Sequence, residues 1–162
     1  RGISGNKITD LVSRWQTDTI DLNPDILSIL IGVNDSASVI LNWPPIVNTD
    51  TFENEYDALL RKTVETFPDI MLVLGEPFIL KIDLVAENWD AAVADISKRQ
   101  KTVRNLAEKY NAIFIPYQKA FDEACQKASP EYWLPDGVHP TPAGHELMCK
   151  EWLKRVEEKI SF

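Results

Sequence analysis

Apolar and polar residues alternate along the chain in blocks that predict strands separated by helices. Two runs are apolar at nearly every position, at 26–31 and 70–75, and a shorter run lies at 112–115. Continuous apolar runs of this length are typical of strands that are covered on both faces. Between them, apolar residues recur with helical spacing, which predicts a parallel sheet in an α/β sandwich.

Several polar residues mark the expected starts of helices. Asn6 is predicted to cap a first helix, and Asp50 with Glu53 resembles a capping box for a second. A long helical pattern follows from about 88 to 110. Without repeats or linkers, the pattern indicates a single domain.

The last helix is predicted to begin at Thr141, with Pro142 at its first position. The segments 32–45 and 116–135 show no clear periodicity and are expected to be irregular. The apolar stripe expected on the last helix comprises Met148, Trp152, Leu153, Val156 and Ile160.

Composition narrows the classes of partner. A net charge of −8 and a pI near 4.8 argue against a nucleic-acid surface and against a polybasic membrane anchor. No apolar run approaches the ~20 residues of a membrane span. Cys125 and Cys149 are too few for a disulfide framework, so we expect reduced thiols and a cytoplasmic location, unless an export signal precedes Arg1.

The stretch "DGVHPTPAGH" at 136–145 contains both histidines of the chain. Ligands of parallel α/β sheets bind beyond the carboxyl ends of the strands, where this loop is expected to lie. A carboxylate three positions before a histidine, with Gly137 easing the turn, suits a general base that is held in one tautomer. On spacing alone, a solvated surface histidine is an equally good interpretation of His139.

Two further segments are expected at the same rim. Asn34 follows a buried strand, and its amide suits an oxyanion donor, while Gly32 lets the backbone approach a substrate. An Asx-type turn of Asn34 and Asp35 is the competing interpretation. Gly5 precedes a helix and can present a backbone N–H to an anion.

A metal site is the other chemical interpretation of the two histidines. Asp136, His139 and His145 would need a further ligand in open geometry, as catalytic zinc requires. The chain offers no convincing fourth group, so we expect no metal. The position of His145 on the first helical turn favours packing or hydrogen bonding.

In chain order, these segments resemble the consensus blocks of the SGNH (GDSL-type) esterase/lipase family: Gly5, Gly32-x-Asn34-Asp35 and Asp136-x-x-His139. The stretches "LVLGEPFIL" and "YWLPDGVHPTPAGH" resemble bacterial acetylxylan-esterase-like carbohydrate acylhydrolases. The resemblance implies a three-layer α/β/α sandwich with a parallel, flavodoxin-like sheet. It also implies a serine ester hydrolase that removes acetyl or other short acyl groups from small or oligosaccharide substrates without a cofactor.

The resemblance assigns a role to each matching residue. His139 becomes the general base and later the general acid, and Asp136 orients it. Gly5 contributes a backbone N–H and Asn34 a side-chain amide to the oxyanion hole, and Asp35 supports the Asn34 loop.

The family's nucleophilic serine has no counterpart among these residues. Ser4 and Ser36 adjoin the matching blocks but stand in the wrong context. The family's first two strands are also unmatched, which makes 26–31 an edge strand. We therefore expect residues 1–162 to be the C-terminal portion of one SGNH domain, completed by a missing N-terminal segment, a second chain or another copy in a homo-oligomer.

Aromatic residues near the expected rim are candidates for lining a sugar site: Trp43, Phe78 and Trp133. Two alternatives to a carbohydrate esterase remain open from the sequence. One is a non-catalytic carbohydrate-binding protein that lacks the nucleophile, and the other is a lysophospholipase or short-chain lipase-type esterase.

Overall fold

The structure, a computed structural model, describes residues 1–159. Within this range the chain forms three strands and eight α-helices, with a short 3₁₀ turn at Ile20–Leu22. The strands are β1 (Ile26–Leu30), β2 (Met71–Gly75) and β3 (Ile113–Ile115). The helices are α1 (Ile8–Asp18), α2 (Val33–Ile40), α3 (Thr49–Thr66), α4 (Asp83–Glu87), α5 (Trp89–Lys109), α6 (Tyr117–Ala124), α7 (Pro130–Trp133) and α8 (Pro142–Glu157).

The three strands form one parallel sheet in the order β1-β2-β3. Leu30 lies opposite Gly75, and Gly75 lies opposite Ile115, so the carboxyl ends of all three strands meet at one rim. This arrangement confirms the predicted α/β class with a parallel sheet.

Alternate residues of β2 enter two separate cores, as the pleat of a strand requires. Leu72 and Leu74 pack in a core that contains residues of α1, α3 and α5. Val73 points to the opposite face and packs with residues of α6 and α8. The sheet is therefore the middle layer of an α/β/α sandwich, as expected.

Strand β1 is buried on one face only, which corrects the expectation of burial on both faces. Ile29 is 5% exposed, whereas Ile26 and Leu30 are 45% and 44% exposed. The reason is that β1 pairs with β2 alone within residues 1–159, so its outer edge and part of one face lack a neighbour. An apolar edge of this kind is open to pairing with another strand.

The helix starts differ from the expected ones in two places. Lys7, not Asn6, is the N-cap of α1, and the Asp10 carboxylate accepts from the Lys7 backbone N–H. Asn48, not Asp50, caps α3 by accepting from the N–H of Thr51 at 2.8 Å. The cap of α1 is thus one residue later than predicted, and the cap of α3 is two residues earlier.

Segments expected to be irregular contain short helices. The segment at 32–45 includes α2, and the stretch at 116–135 includes α6 and α7. The fully buried residues of α2 are the polar Asp35, Ser36 and Ser38, whereas its apolar Val33 and Ile40 are only partly buried, so the helix has little apolar periodicity.

The start of α8 agrees with prediction, since Thr141 accepts from the N–H of Gly144 at 3.1 Å and Pro142 follows. Of the predicted stripe, Val156 is buried, but Leu153 is 44% exposed and does not belong to it. Met148 and Trp152 are partly buried, and Ile160 lies outside the described residues.

Candidate active site

Asp136 and His139 form a hydrogen-bonded pair in the loop between α7 and α8. Oδ2 of Asp136 lies 2.7 Å from Nδ1 of His139, while Oδ1 accepts from the backbone N–H groups of Val138 and His139 at 2.9 and 2.8 Å. The His139 side chain is 77% exposed, so Nε2 is open to a reactant. The carboxylate thus fixes the imidazole from one side and leaves the other free for proton transfer.

The hydrogen bonds also set the charge of the pair. Partial burial raises the pKa of Asp136, but the bonds from the His139 backbone, the His139 imidazole and the Val138 backbone outweigh it and hold the pKa below its usual range. Asp136 is therefore ionised throughout the neutral range. An ionised partner stabilises the imidazolium that forms when His139 takes a proton.

The loop has this shape because of backbone requirements at Gly137. Its φ is +82°, and a Cβ there would lie 2.5 Å from the carbonyl oxygen of Leu80. The N–H of Leu80 donates to the Gly137 carbonyl at 2.9 Å, which docks the loop on the segment after β2. On its other side, the Thr141 hydroxyl donates to the Tyr132 carbonyl at 2.8 Å.

Residues 5–8 carry the second group of candidate donors. Gly5 has a φ of +78° and packs against the Trp43 ring. The nearest ring carbon lies 3.5 Å from the position that a Cβ of residue 5 would occupy. Nδ2 of Asn34 donates to the Asn6 carbonyl at 3.1 Å. Because an amide carries two N–H bonds, this contact orients Asn34 and leaves one N–H for another acceptor.

Asp35 anchors the same segment from inside the protein. It is fully buried, and its Oδ1 accepts from the N–H of Ile8 at 2.9 Å. Burial raises the pKa of Asp35 to about 6, although the Ile8 bond and the charges of Arg99 and Lys7 lower it. Asp35, which we expected to support the Asn34 loop, thus ties α2 to the first residue of α1.

One cavity of about 800 Å³ joins the two groups. It lies at the rim and along the open side of β1, and Asp136 stands behind His139 rather than in the wall. The predicted site residues in its lining are Gly5, Gly32, Asn34, Phe78 and His139, with His145 beside them. The structure therefore brings both candidate oxyanion donors and the imidazole to one hollow.

The three aromatic candidates differ in position. Phe78 lines the cavity but is only 6% exposed, so it is mainly a core residue. Trp43 is 44% exposed and covers Gly5 at the margin. Trp133 is partly buried against the α6–α8 core and is not in the cavity wall.

Other sequence expectations concern metals, thiols and membranes. Within residues 1–159, His, Cys, Asp and Glu side chains form no group of three arranged to hold a metal ion. Cys125 and Cys149 are free thiols. No helix in this range combines the length and apolar character needed to cross a membrane.

A parallel α/β/α sandwich with an aspartate-bonded histidine at its carboxyl rim is an arrangement of acyl hydrolases. The chain belongs to the GDSL-like lipase/acylhydrolase family, whose family model matches residues 1–147. Members of this family are carboxylic ester hydrolases. The predicted family resemblance is confirmed.

Relatives with determined structures share most of the chain. An acetylxylan esterase of Geobacillus stearothermophilus is 32% identical over 158 residues, which cover 96% of this chain and 70% of that protein. Its crystal structure has a TM-score of 0.84 at 30% identity and matches 97% of this chain and 70% of that one. A structure from Parabacteroides merdae, described as a GDSL-like lipase, has a TM-score of 0.91 at 40% identity and matches 98% of this chain and 72% of that one.

Further structures of the Geobacillus esterase are catalytic mutants. In three of them, a serine, an aspartate or a histidine is replaced by alanine, and the aspartate stands three positions before the histidine. Asp136 and His139 have the same spacing in this chain.

The sequence analysis overlooked two buried cations beside the site, Lys7 and Arg99, which are 2% and 0% exposed. Lysine and arginine are exposed by default, so neither residue type signals burial. The position of Lys7 two residues after Gly5 is the only hint that the sequence contained.

Proposed function

We propose that this chain forms the base-bearing part of a serine esterase that removes acetyl groups from carbohydrates. The observation that carries the proposal is the 2.7 Å bond between Asp136 and His139, made at the cavity that Gly5 and Asn34 also line. The same aspartate–histidine spacing in the catalytic mutants of the Geobacillus esterase supports it.

In the proposed reaction, a serine oxygen attacks the ester carbonyl carbon while Nε2 of His139 accepts the hydroxyl proton. The carbonyl oxygen becomes an oxyanion and receives hydrogen bonds from the N–H of Gly5 and the free amide N–H of Asn34. The bond to the sugar oxygen then breaks, and His139 returns its proton to that oxygen. Water repeats the sequence on the acetyl-serine and releases acetate.

The attacking serine is proposed to come from polypeptide outside residues 1–162. Within this range, Ser36 is 3% exposed, and Ser4 lies next to the proposed oxyanion donor Gly5. The half-exposed apolar residues Ile26 and Leu30 on the free side of β1 offer a docking edge for another strand. The chain also matches only 70% and 72% of the related structures. Below, the complete enzyme means this chain together with the polypeptide that supplies the serine.

An acetylated, uncharged carbohydrate suits the charge of the protein. With a net charge of −8, an anionic substrate would meet repulsion, whereas a neutral glycan would not. The named activity of the Geobacillus relative, an acetylxylan esterase, supports acetyl as the acyl group.

The test compares the complete enzyme with its His139→Ala variant. Acetate release from acetylated xylo-oligosaccharides and labelling by a serine-directed fluorophosphonate are measured on both. We expect the wild type to release acetate and to be labelled on one serine outside residues 1–162, and the His139→Ala variant to lose both properties. Glycan binding without acetate release or labelling would overturn the esterase and indicate a binding protein.

A further inference from the structure

Lys7 and Arg99 lie inside the protein beside the candidate site, with 2% and 0% of their surface exposed. A buried cation is unfavourable unless other groups replace its water shell. The partners of these two side chains therefore indicate what the cations hold. Both contact residues 41–47, which connect α2 to α3 and are called the strap below.

Three alternate carbonyls of the strap, at positions 43, 45 and 47, each accept a hydrogen bond from a buried cation. Nζ of Lys7 donates to the carbonyl of Trp43 at 3.1 Å and to that of Pro45 at 2.7 Å. Nη2 of Arg99 donates to the carbonyl of Val47 at 2.7 Å. Lys7 approaches from the N-cap of α1 and Arg99 from α5, so the strap is bonded to two separate elements.

Ser38 of α2 holds the strap through the opposite backbone groups. Its carbonyl accepts from the N–H of Trp43 at 2.9 Å, and its hydroxyl oxygen accepts from the N–H of Val47 at 3.0 Å. The strap is not part of a helix or sheet, but the N–H groups of Trp43 and Val47 and three of its carbonyls are hydrogen-bonded. These bonds fix the backbone of the strap, although every strap residue except Val47 is exposed.

The strap contacts the proposed oxyanion donor directly. The Trp43 ring lies 3.5 Å from the Cβ position of Gly5, and Nζ of Lys7 lies 4.5 Å from the centre of that ring. Lys7 follows Gly5 by two residues. Loss of the Lys7 bonds would therefore free the strap and the Trp43 ring that packs on Gly5.

Two carboxylates balance the buried cations. Asp95 accepts from Nε of Arg99 at 2.7 Å. Asp35 is fully buried and lies within range of the charges of both Lys7 and Arg99. Since Asp35 also binds the N–H of Ile8 and precedes the strap on α2, it links the cations to the Asn34 side of the site.

We propose that Lys7 and Arg99 are positioning residues of the acyl-transfer site, which hold the strap against Gly5 and thereby fix the backbone N–H that binds the oxyanion. Neither side chain touches the reacting atoms. The inference rests on the proposed function for its catalytic part, and on the strap contacts for its structural part.

The test measures hydrogen–deuterium exchange of the strap and the kinetics of acetate release on the same samples of complete enzyme. In the wild type, the amides of Trp43 and Val47 are expected to exchange slowly. Lys7→Met should accelerate exchange in the strap and lower kcat roughly 10- to 100-fold, because small misplacement of a catalytic group has effects of this size. KM should change less than kcat, since the acetyl group is bound but poorly stabilised in the transition state.

Lys81→Met is the matched control. Nζ of Lys81 also lies over a tryptophan ring, that of Trp89 at 5.7 Å, but Lys81 is exposed and donates to no strap carbonyl. Exchange and kinetics should remain those of the wild type. If Lys7→Met does not fold, Arg99→Lys keeps the charge, loses the fork that joins Val47 to Asp95, and should change both readouts in the same direction.

Unchanged exchange in the strap of a folded Lys7→Met variant would overturn the inference, as would accelerated exchange with unchanged kcat. Rapid exchange of Trp43 and Val47 in the wild type would overturn it without any variant. A complete wild-type enzyme that releases no acetate would instead overturn the proposed function and the catalytic part with it. The exchange rates would still decide whether the two cations hold the strap.

Discussion

The acid–base loop at 132–145 and the oxyanion segments at 5–8 and 32–47 differ in how far along the sequence their contacts reach. The side-chain bonds of the acid–base loop are short-range, since Asp136 and His139 are three residues apart and the Thr141–Tyr132 bond spans nine; its one distant tie is the backbone bond from Leu80 to Gly137. In the oxyanion segments, the bonds of Asn34 to Asn6, of Ile8 to Asp35 and of Arg99 to Val47 span 28, 27 and 52 residues.

This difference has consequences for stability. A contact between near neighbours closes a short loop and costs little chain entropy, whereas contacts across tens of residues form only when the elements between them are folded. The acid–base loop is therefore largely determined by its own sequence. The oxyanion segments depend on the packing of α1, α2 and α5, so disturbance of the core should damage them first.

Replacing the imidazole tests the acid–base loop and carries the largest expected effect. In the complete enzyme, His139→Ala should lower kcat by several orders of magnitude, as removal of a triad base does. The midpoint of urea unfolding should change little, because the side chain is 77% exposed. Acetate release and urea unfolding measure the two quantities, and near-wild-type turnover would refute the assigned role.

Replacing the side-chain amide of Asn34 tests the oxyanion segments. Asn34→Ala should lower kcat by ~10²–10³, the usual cost of one oxyanion donor. Because the bond to the Asn6 carbonyl at 3.1 Å is lost as well, exchange at residues 5–8 should accelerate. Asn54→Ala, at an exposed position of α3, serves as the control and should leave kcat unchanged. A loss below threefold in Asn34→Ala would contradict the oxyanion assignment.

The difference in contact range also explains which parts of the site could be predicted from the sequence. The aspartate–glycine–histidine loop and the Thr141-Pro142 helix start contain their own determinants, so spacing and residue type were sufficient to predict them. The three strands were also evident, because each is a continuous apolar run. For β1, however, the run could not show that one face is half exposed, since that depends on which neighbours are present.

Lys7, Arg99 and the helical nature of α2 were missed for a physical reason. Burial of Lys7 and Arg99 depends on strap carbonyls tens of residues away that accept their hydrogen bonds, although Arg99 also pairs with Asp95 on its own helix. Helix α2 turns Asp35, Ser36 and Ser38 inward. Periodicity detects apolar faces, so a buried polar face resembles a loop.

The oxyanion segments can be tested through the pH dependence of stability, because they contain Asp35. Burial raises its pKa from 3.8 to about 6 in the folded protein. Its protonation therefore favours the folded state, with a contribution that is complete below pH 3.8 and lost as the pH rises through 6. This shift corresponds to about 3 kcal/mol.

We expect the complete wild-type enzyme to lose about 3 kcal/mol of unfolding free energy relative to Asp35→Asn between pH 3 and pH 7, most of it between pH 4 and pH 6. Urea unfolding of both proteins at several pH values measures the difference. Other shifted groups, such as Glu76, occur in both proteins and cancel. Parallel curves for the two proteins would show that Asp35 titrates as an ordinary carboxyl.

The smallest expected effect separates the stability of a helix from the position of the base. Thr141 accepts from the N–H of Gly144 and donates to the Tyr132 carbonyl, whereas Asn48 caps α3 away from the acid–base loop. Replacing either cap with alanine should cost about 1 kcal/mol of stability. Only Thr141→Ala should also lower kcat, by a few-fold, because its two bonds hold the backbone that follows His139. Equal losses of kcat in the two variants would mean that activity follows global stability, and that the acid–base loop is not the locally determined unit described above.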